Sequence, residues 1–134
     1  MKKRKVRKDT KKYLKKLERR QVRKAFKEWS LAVKERDGNK CVICSRTEYA
    51  HAHHIIPREI KETRFNVMNG ITLCAKHHKY SVQLSAHKNP LAFALWLEVN
   101  RPAQYLYVTL LLLNHEAKET KEVPGVQLNE TKRQ

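Results

Sequence analysis

Two matched spacings, Cys41-x-x-Cys44 and Cys74-x-x-His77, constrain this chain more than any other feature. All three cysteines and five of the seven histidines lie between Cys41 and His78. A C-x-x-C turn points two sulfurs at one place, and a second pair can complete a tetrahedron around zinc. Cys41, Cys44, Cys74 and His77 therefore read as a Cys₃His site. Four protein ligands leave no open position, which marks such a site as structural. It would staple a fold whose 134 residues allow only a small core. Three cysteines cannot form a complete disulfide framework, so metal ligation in a reducing compartment is the better fit.

His53, His54, Asn69 and His78 remain in the same window. Neighbouring residues of a strand point to opposite faces, so His53 and His54 cannot both serve one metal from a regular strand. One can face a metal while the other faces a substrate. His78 follows the zinc ligand His77 directly and can likewise turn away from the zinc. Residue types alone leave two readings open: a second metal with a catalytic base, or surface histidines beside a zinc knuckle.

The rest of the chain frames this window. Residues 1–36 hold 17 basic and four acidic residues, a net of +13, while the remaining residues carry only +4. Charge so concentrated and one-signed predicts contact with a polyanion, nucleic acid first among them. The first eight residues are expected to be disordered by self-repulsion. A helix is expected from about Thr10, with Val22, Ala25, Phe26, Trp29, Ala32 and Val33 as its inward stripe, ending at Asp37-Gly38. Short strands are expected at 49–56 and 71–73, a turn at Asn69-Gly70, and a helix at 75–84. Asn89-Pro90 and Pro102 each start a further helix, and the leucines that follow read as core. The opening Met1-Lys2-Lys3-Arg4-Lys5 leads into more charge, so no secretory signal is expected. The apolar run 91–113 is broken by Glu98 and Arg101-Pro102, so no membrane span is expected either.

Ala52-His53-His54-Ile55-Ile56-Pro57, then Asn69-Gly70-Ile71-Thr72-Leu73-Cys74, then His77-His78, resembles the HNH endonuclease family. Together with Trp29, Arg36-Asp37-Gly38 and Cys41-x-x-Cys44, it is most similar to small phage and prophage members with a zinc knuckle. The likeness covers roughly residues 25–100. It implies a small α+β fold: a ββα-metal motif around the structural zinc, with a long basic N-terminal helix and C-terminal helices. The organisation expected is a partly disordered basic arm over 1–20, a nuclease domain with flanking helices over 21–116, and a mobile tail over 117–134.

The resemblance also implies roles. His53 and His78 hold the places of ligands to a catalytic divalent cation, Mg²⁺, Mn²⁺ or another transition metal. His54 holds the place of the general base. Asn69 holds the place of the asparagine that ties the loop and orients the base. His77 replaces the usual fourth cysteine of the knuckle. Where some relatives carry a third histidine ligand, this chain has Val82; His87 is the other candidate, with no shared spacing behind it. The implied activity is hydrolysis of DNA phosphodiester bonds, by nicking or double-strand cleavage, with low sequence specificity. The implied partner is DNA held through its phosphates, in the cytoplasm, the host's if the chain is phage-encoded. Packaging, homing and restriction all use this chemistry, which admits phage packaging proteins as partners. Two rivals stand beside it: a non-catalytic zinc-knuckle DNA-binding protein, and a protein that binds or cuts RNA.

Overall fold

No glycine or proline precedes Gly38, and the N-terminal third is rich in lysine and arginine, both good helix formers. These residues form one helix, α1 (Lys2–Arg36). The computed structural model describes residues 2–121. The helix starts at Lys2, upstream of the start expected near Thr10 and through part of the arm expected to lack order, because nothing in the basic run breaks it. It stops where expected: Gly38 takes a φ of 71° and Asn39 one of 55°, the left-handed turn that glycine favours.

The two halves of α1 differ. Every side chain from residue 9 to 21 is exposed, including Tyr13, Leu14 and Leu17, which make a first, short apolar stripe with no packing partner among the described residues. The second stripe is the packed one: Trp29 and Val33 are buried, and Val22, Ala25, Phe26 and Ala32 half-buried. They lie on a two-stranded antiparallel sheet, β1 (His51–His54) with β2 (Gly70–Leu73). The register sets His54 opposite Gly70 and His53 opposite Ile71. Gly70 is required here by contact rather than by turn geometry. A Cβ at this position would collide with Val33 Cγ2 and stand 2.7 Å from Trp29 Cζ2. α1 thus rests directly on the strand backbone.

On the other face, Ile71 and Leu73 are fully buried. They join Phe93 and Leu97 of α2 (Pro90–Asn100) and Val108 of α3 (Pro102–Lys121). Each such side chain contributes about 1.5–3 kcal/mol on burial, so a core this small leaves much for other forces to do. Asn89 caps α2 as its sequence predicts, accepting from the Ala92 amide at 3.1 Å. α1 is locked to the sheet by Asp37, whose buried carboxylate accepts from the Thr72 amide at 2.8 Å and from Arg36 twice at 2.9 Å. Arg101 reaches the same carboxylate at 3.3 Å. Burial alone would raise the Asp37 carboxyl; the bonds from Arg36 and Thr72 and the Arg36 charge outweigh it and hold it below the ordinary range.

Three expected elements differ. β1 is four residues long, not eight: Tyr49, at a left-handed φ of 54°, delays its start, and the pairing ends at His54. Asn69-Gly70 is not a turn: Asn69 ends a 3₁₀ turn (Val67–Asn69), and Gly70 is the first residue of β2. The helix expected at 75–84 is a single π turn (Lys76–Tyr80). There Ser81 turns extended, and its Oγ accepts from the Leu84 amide at 3.2 Å, giving the backbone an alternative to helix. α3 continues to Lys121, and the remainder of the tail expected to be mobile lies outside the described residues. Among the described residues no helix is long and apolar enough to cross a membrane.

Candidate metal and nuclease site

The knuckle and the β2–π-turn junction bring Cys41, Cys44, Cys74 and His77 together, with their donor atoms within 4.8 Å of one another. Cys41, Cys74 and His77 are buried, and Cys44 is exposed. A tetrahedral zinc, with Zn–S near 2.3 Å and Zn–N near 2.0–2.1 Å, requires S···S separations of about 3.8 Å and S···N separations of about 3.5 Å. Cys44 Sγ lies 3.7 Å from Cys74 Sγ, and His77 Nδ1 lies 3.6 Å from Cys41 Sγ and 3.4 Å from Cys74 Sγ. The four donors fit a zinc site in both chemistry and spacing.

β1 sends its last two histidines to opposite faces. His53 turns toward Phe93 of α2, with the rings of His78 and His87 at 4.9 and 5.1 Å. His54 turns toward α1, where its ring stacks on Trp29 at 3.7 Å and 11° and meets the edge of Phe26 at 5.9 Å. Gly70, directly across from His54, leaves the room Trp29 occupies. The His54 Nε2–H donates to the Arg64 carbonyl at 2.8 Å. A carbonyl only accepts, so this bond fixes the tautomer and leaves Nδ1 with a free lone pair. Burial lowers the His54 pKa, and the Arg58 charge adds to that; the Arg64 carbonyl and Glu59 oppose them without reversing the shift. The net shift favours the neutral ring.

Asn69 is fully buried and bonds to both sides of the loop between the strands. Its Oδ1 accepts from the Ile56 amide at 2.6 Å; its Nδ2 donates to the Ile56 carbonyl at 3.1 Å and the Thr63 carbonyl at 3.2 Å. The residue next to Thr63 is Arg64, whose carbonyl holds His54. Asn69 is thus linked to His54 only by way of the loop, with no side-chain hydrogen bond between them.

His53, His54, His78 and His87 line one groove of about 570 Å³, with Arg58 and Lys79 at its wall. The donor atoms of His53, His78 and His87 lie within 4.8 Å of one another. Burial first, then the proximity of His78, His87 and His54, pushes His53 down to about 3. Burial, then His87, Lys79 and His51, pushes His78 down to about 4. Neutral imidazoles are the form that binds metal.

The model of the HNH endonuclease family matches residues 41–83. No curated protein and no solved structure matches the chain. The HNH match spans the knuckle, both strands and the π turn, and so holds all four knuckle donors together with His53 and His78, but not His87. It supports a nuclease function and implies DNA as the substrate. Sequence reading placed every knuckle residue. It passed over the Arg64 carbonyl and the Trp29 stack on His54, and it gave His87 little weight. The first is a backbone atom with no residue-type signal. The second joins positions 25 apart through α1, where the only hint was an aromatic at an inward helical position.

Proposed function

We propose that this protein is a metal-dependent DNA endonuclease of low sequence specificity, with His54 as the general base. The observation that carries this is the His54 ring: clamped by Trp29, committed to one tautomer by Arg64, and facing a basic groove with Nδ1 unprotonated. Nδ1 takes a proton from a water molecule as that water attacks phosphorus, and Arg58 and Lys79 offset the charge of the phosphate. His53 and His78 would hold a divalent cation, which supplies charge stabilisation at a phosphate oxygen and at the departing 3′-oxygen. Asn69 keeps the 56–63 loop, and with it the Arg64 carbonyl, in place.

The basic face of α1 supplies affinity for phosphates without reading bases, which favours low specificity. In this reading residues 1–20 are a basic arm, 21–116 the nuclease domain and 117–134 a tail. A phage setting rests on the resemblance alone, and a cytoplasmic location on the cysteine usage and the opening residues read from sequence.

Supercoiled plasmid tests the proposal. The parent nicks or linearises it with Mn²⁺ or Mg²⁺ and stops in EDTA, while His54→Ala binds the DNA without cutting. A parent that binds DNA yet leaves plasmid intact with every divalent ion would instead be a non-catalytic zinc-knuckle DNA-binding protein. Preferential cleavage of RNA would replace the substrate class.

A further inference from the structure

His87 stands outside the HNH match and outside every spacing that singled out the other histidines. It is exposed, so core packing does not explain its placement. Yet its Nε2 lies 3.1 Å from His78 Nε2, and its ring meets those of His78 and His53 edge-on at 4.7 and 5.1 Å. The backbone holds it there. The Ala86 amide donates to the His77 carbonyl at 2.9 Å and the His87 amide to the His78 carbonyl at 3.1 Å, so residues 86–87 are laid against the π turn. The loop between is braced from inside: buried Ser85 Oγ donates to the Ser81 carbonyl at 2.7 Å, and Asn89 Nδ2 donates to the Val82 carbonyl at 3.1 Å.

We infer that His87 is a third protein ligand, completing with His53 and His78 a three-imidazole site that selects a transition-metal ion over Mg²⁺. The inference rests on the reading of His53 and His78 given above and adds both the ligand and the class of metal. Two imidazole nitrogens bound cis in an octahedral shell stand about 3.0 Å apart, and in a tetrahedral one about 3.4 Å, for bonds near 2.1 Å. The His78–His87 separation of 3.1 Å is close to the first. Imidazole suits Co²⁺, Ni²⁺ and Zn²⁺, whereas Mg²⁺ takes oxygen donors and gives up its water reluctantly. No acidic residue belongs to this cluster among the described residues. Val82, the position of the third histidine in some relatives, is exposed and carries no donor. The Ser81–Asn89 loop brings a substitute from further along the chain.

Calorimetric titration of the full, zinc-loaded chain with Co²⁺, read alongside its visible spectrum, tests this without cleavage. The parent is expected to take up one Co²⁺ without the thiolate-to-cobalt absorption that exchange at the knuckle would give, and a hundredfold excess of Mg²⁺ should not displace it. His87→Ala should weaken Co²⁺ binding at least as much as loss of an outer-shell partner does, roughly 10–100-fold, with zinc content and melting temperature unchanged. His87→Gln, which keeps a polar side chain, should be as weak. Parent-like Co²⁺ affinity in either variant would overturn the role of His87, and displacement by Mg²⁺ would overturn the metal class. If His53→Ala also bound Co²⁺ like the parent, the metal reading of His53 and His78 would itself fail, a result distinct from failure at His87 alone.

Discussion

Cys41, Cys44, Cys74 and His77 close around one point, mostly buried, with separations that suit a single tetrahedral ion such as zinc. A few residues away, His53, His78 and His87 converge just as closely but on the wall of an open groove, with no fourth donor grouped with them among the described residues. The first cluster uses thiolates, which bind zinc tightly and fill its shell. The second offers neutral imidazoles and, in the reading proposed above, would leave one side of a metal's shell to solvent or substrate. The contrast separates two tasks that residue types alone would merge: a closed donor set replaces missing core, and an open one has capacity left for chemistry.

The largest effect is expected from breaking the closed set. Cys74→Ser should yield an unfolded or insoluble chain, because a structural zinc contributes roughly 10–16 kcal/mol of apparent binding energy in small zinc domains, comparable to or larger than the whole stability of a typical domain, about 5–15 kcal/mol. Zinc analysis and thermal melting check it; a metal-free variant that melts like the parent would remove the knuckle from the fold's support.

On the open side, His54→Ala should cut the cleavage rate by about 10²–10⁴-fold, with zinc content and melting unchanged. Parent-rate nicking of supercoiled plasmid would show that some other group is the base. Asp37→Ala supplies the control that touches neither cluster. It strips a buried carboxylate from Arg36, Arg101 and the Thr72 amide and should cost about 3–5 kcal/mol in denaturant unfolding. A loss below about 1 kcal/mol would mean that α1 is held on the sheet by Trp29 and Val33 alone.

A smaller change is expected at Trp29. Trp29→Phe keeps a ring beside His54 and gives up one hydrogen bond to the Asn66 carbonyl, worth about 0.5–1.5 kcal/mol. Trp29→Leu removes the stack, and should lower kcat by about 10-fold or more, since small misplacements of a reacting group are costly. Equal kcat for the two variants would leave Trp29 a packing residue only. Least of all, deleting residues 1–20 should leave kcat at saturating DNA unchanged while reducing the log–log salt slope of binding by about 0.9 per lost phosphate contact. An unchanged slope would move the DNA surface to Arg58, Lys61, Arg64 and Lys79.

What could be read from sequence follows the range over which the deciding force acts. The knuckle was legible because an x-x spacing fixes local geometry, and the opposed faces of His53 and His54 because strand alternation does the same. The inward stripe of α1 was legible from its period. The long strand at 49–56 and the helix at 75–84 were overdrawn: Tyr49 takes a left-handed φ at the start of the one, and Ser81 turns extended inside the other. His87 was the hardest to place. Its position depends on a π turn, a serine-braced loop and two backbone bonds to His77 and His78, none of which has a periodic signature.

His77 and His78 are consecutive, and the peptide unit joining them belongs to both clusters. The amide of His78 donates to the carbonyl of Cys74 at 2.8 Å, so the turn that aims His78 into the groove is anchored on a knuckle cysteine. Occupancy of one cluster therefore narrows the conformations open to the other. By linkage, whatever factor zinc adds to the affinity of the open site, an ion in the open site returns to zinc. In the reading proposed above, a chain starved of zinc would also hold a second metal less tightly.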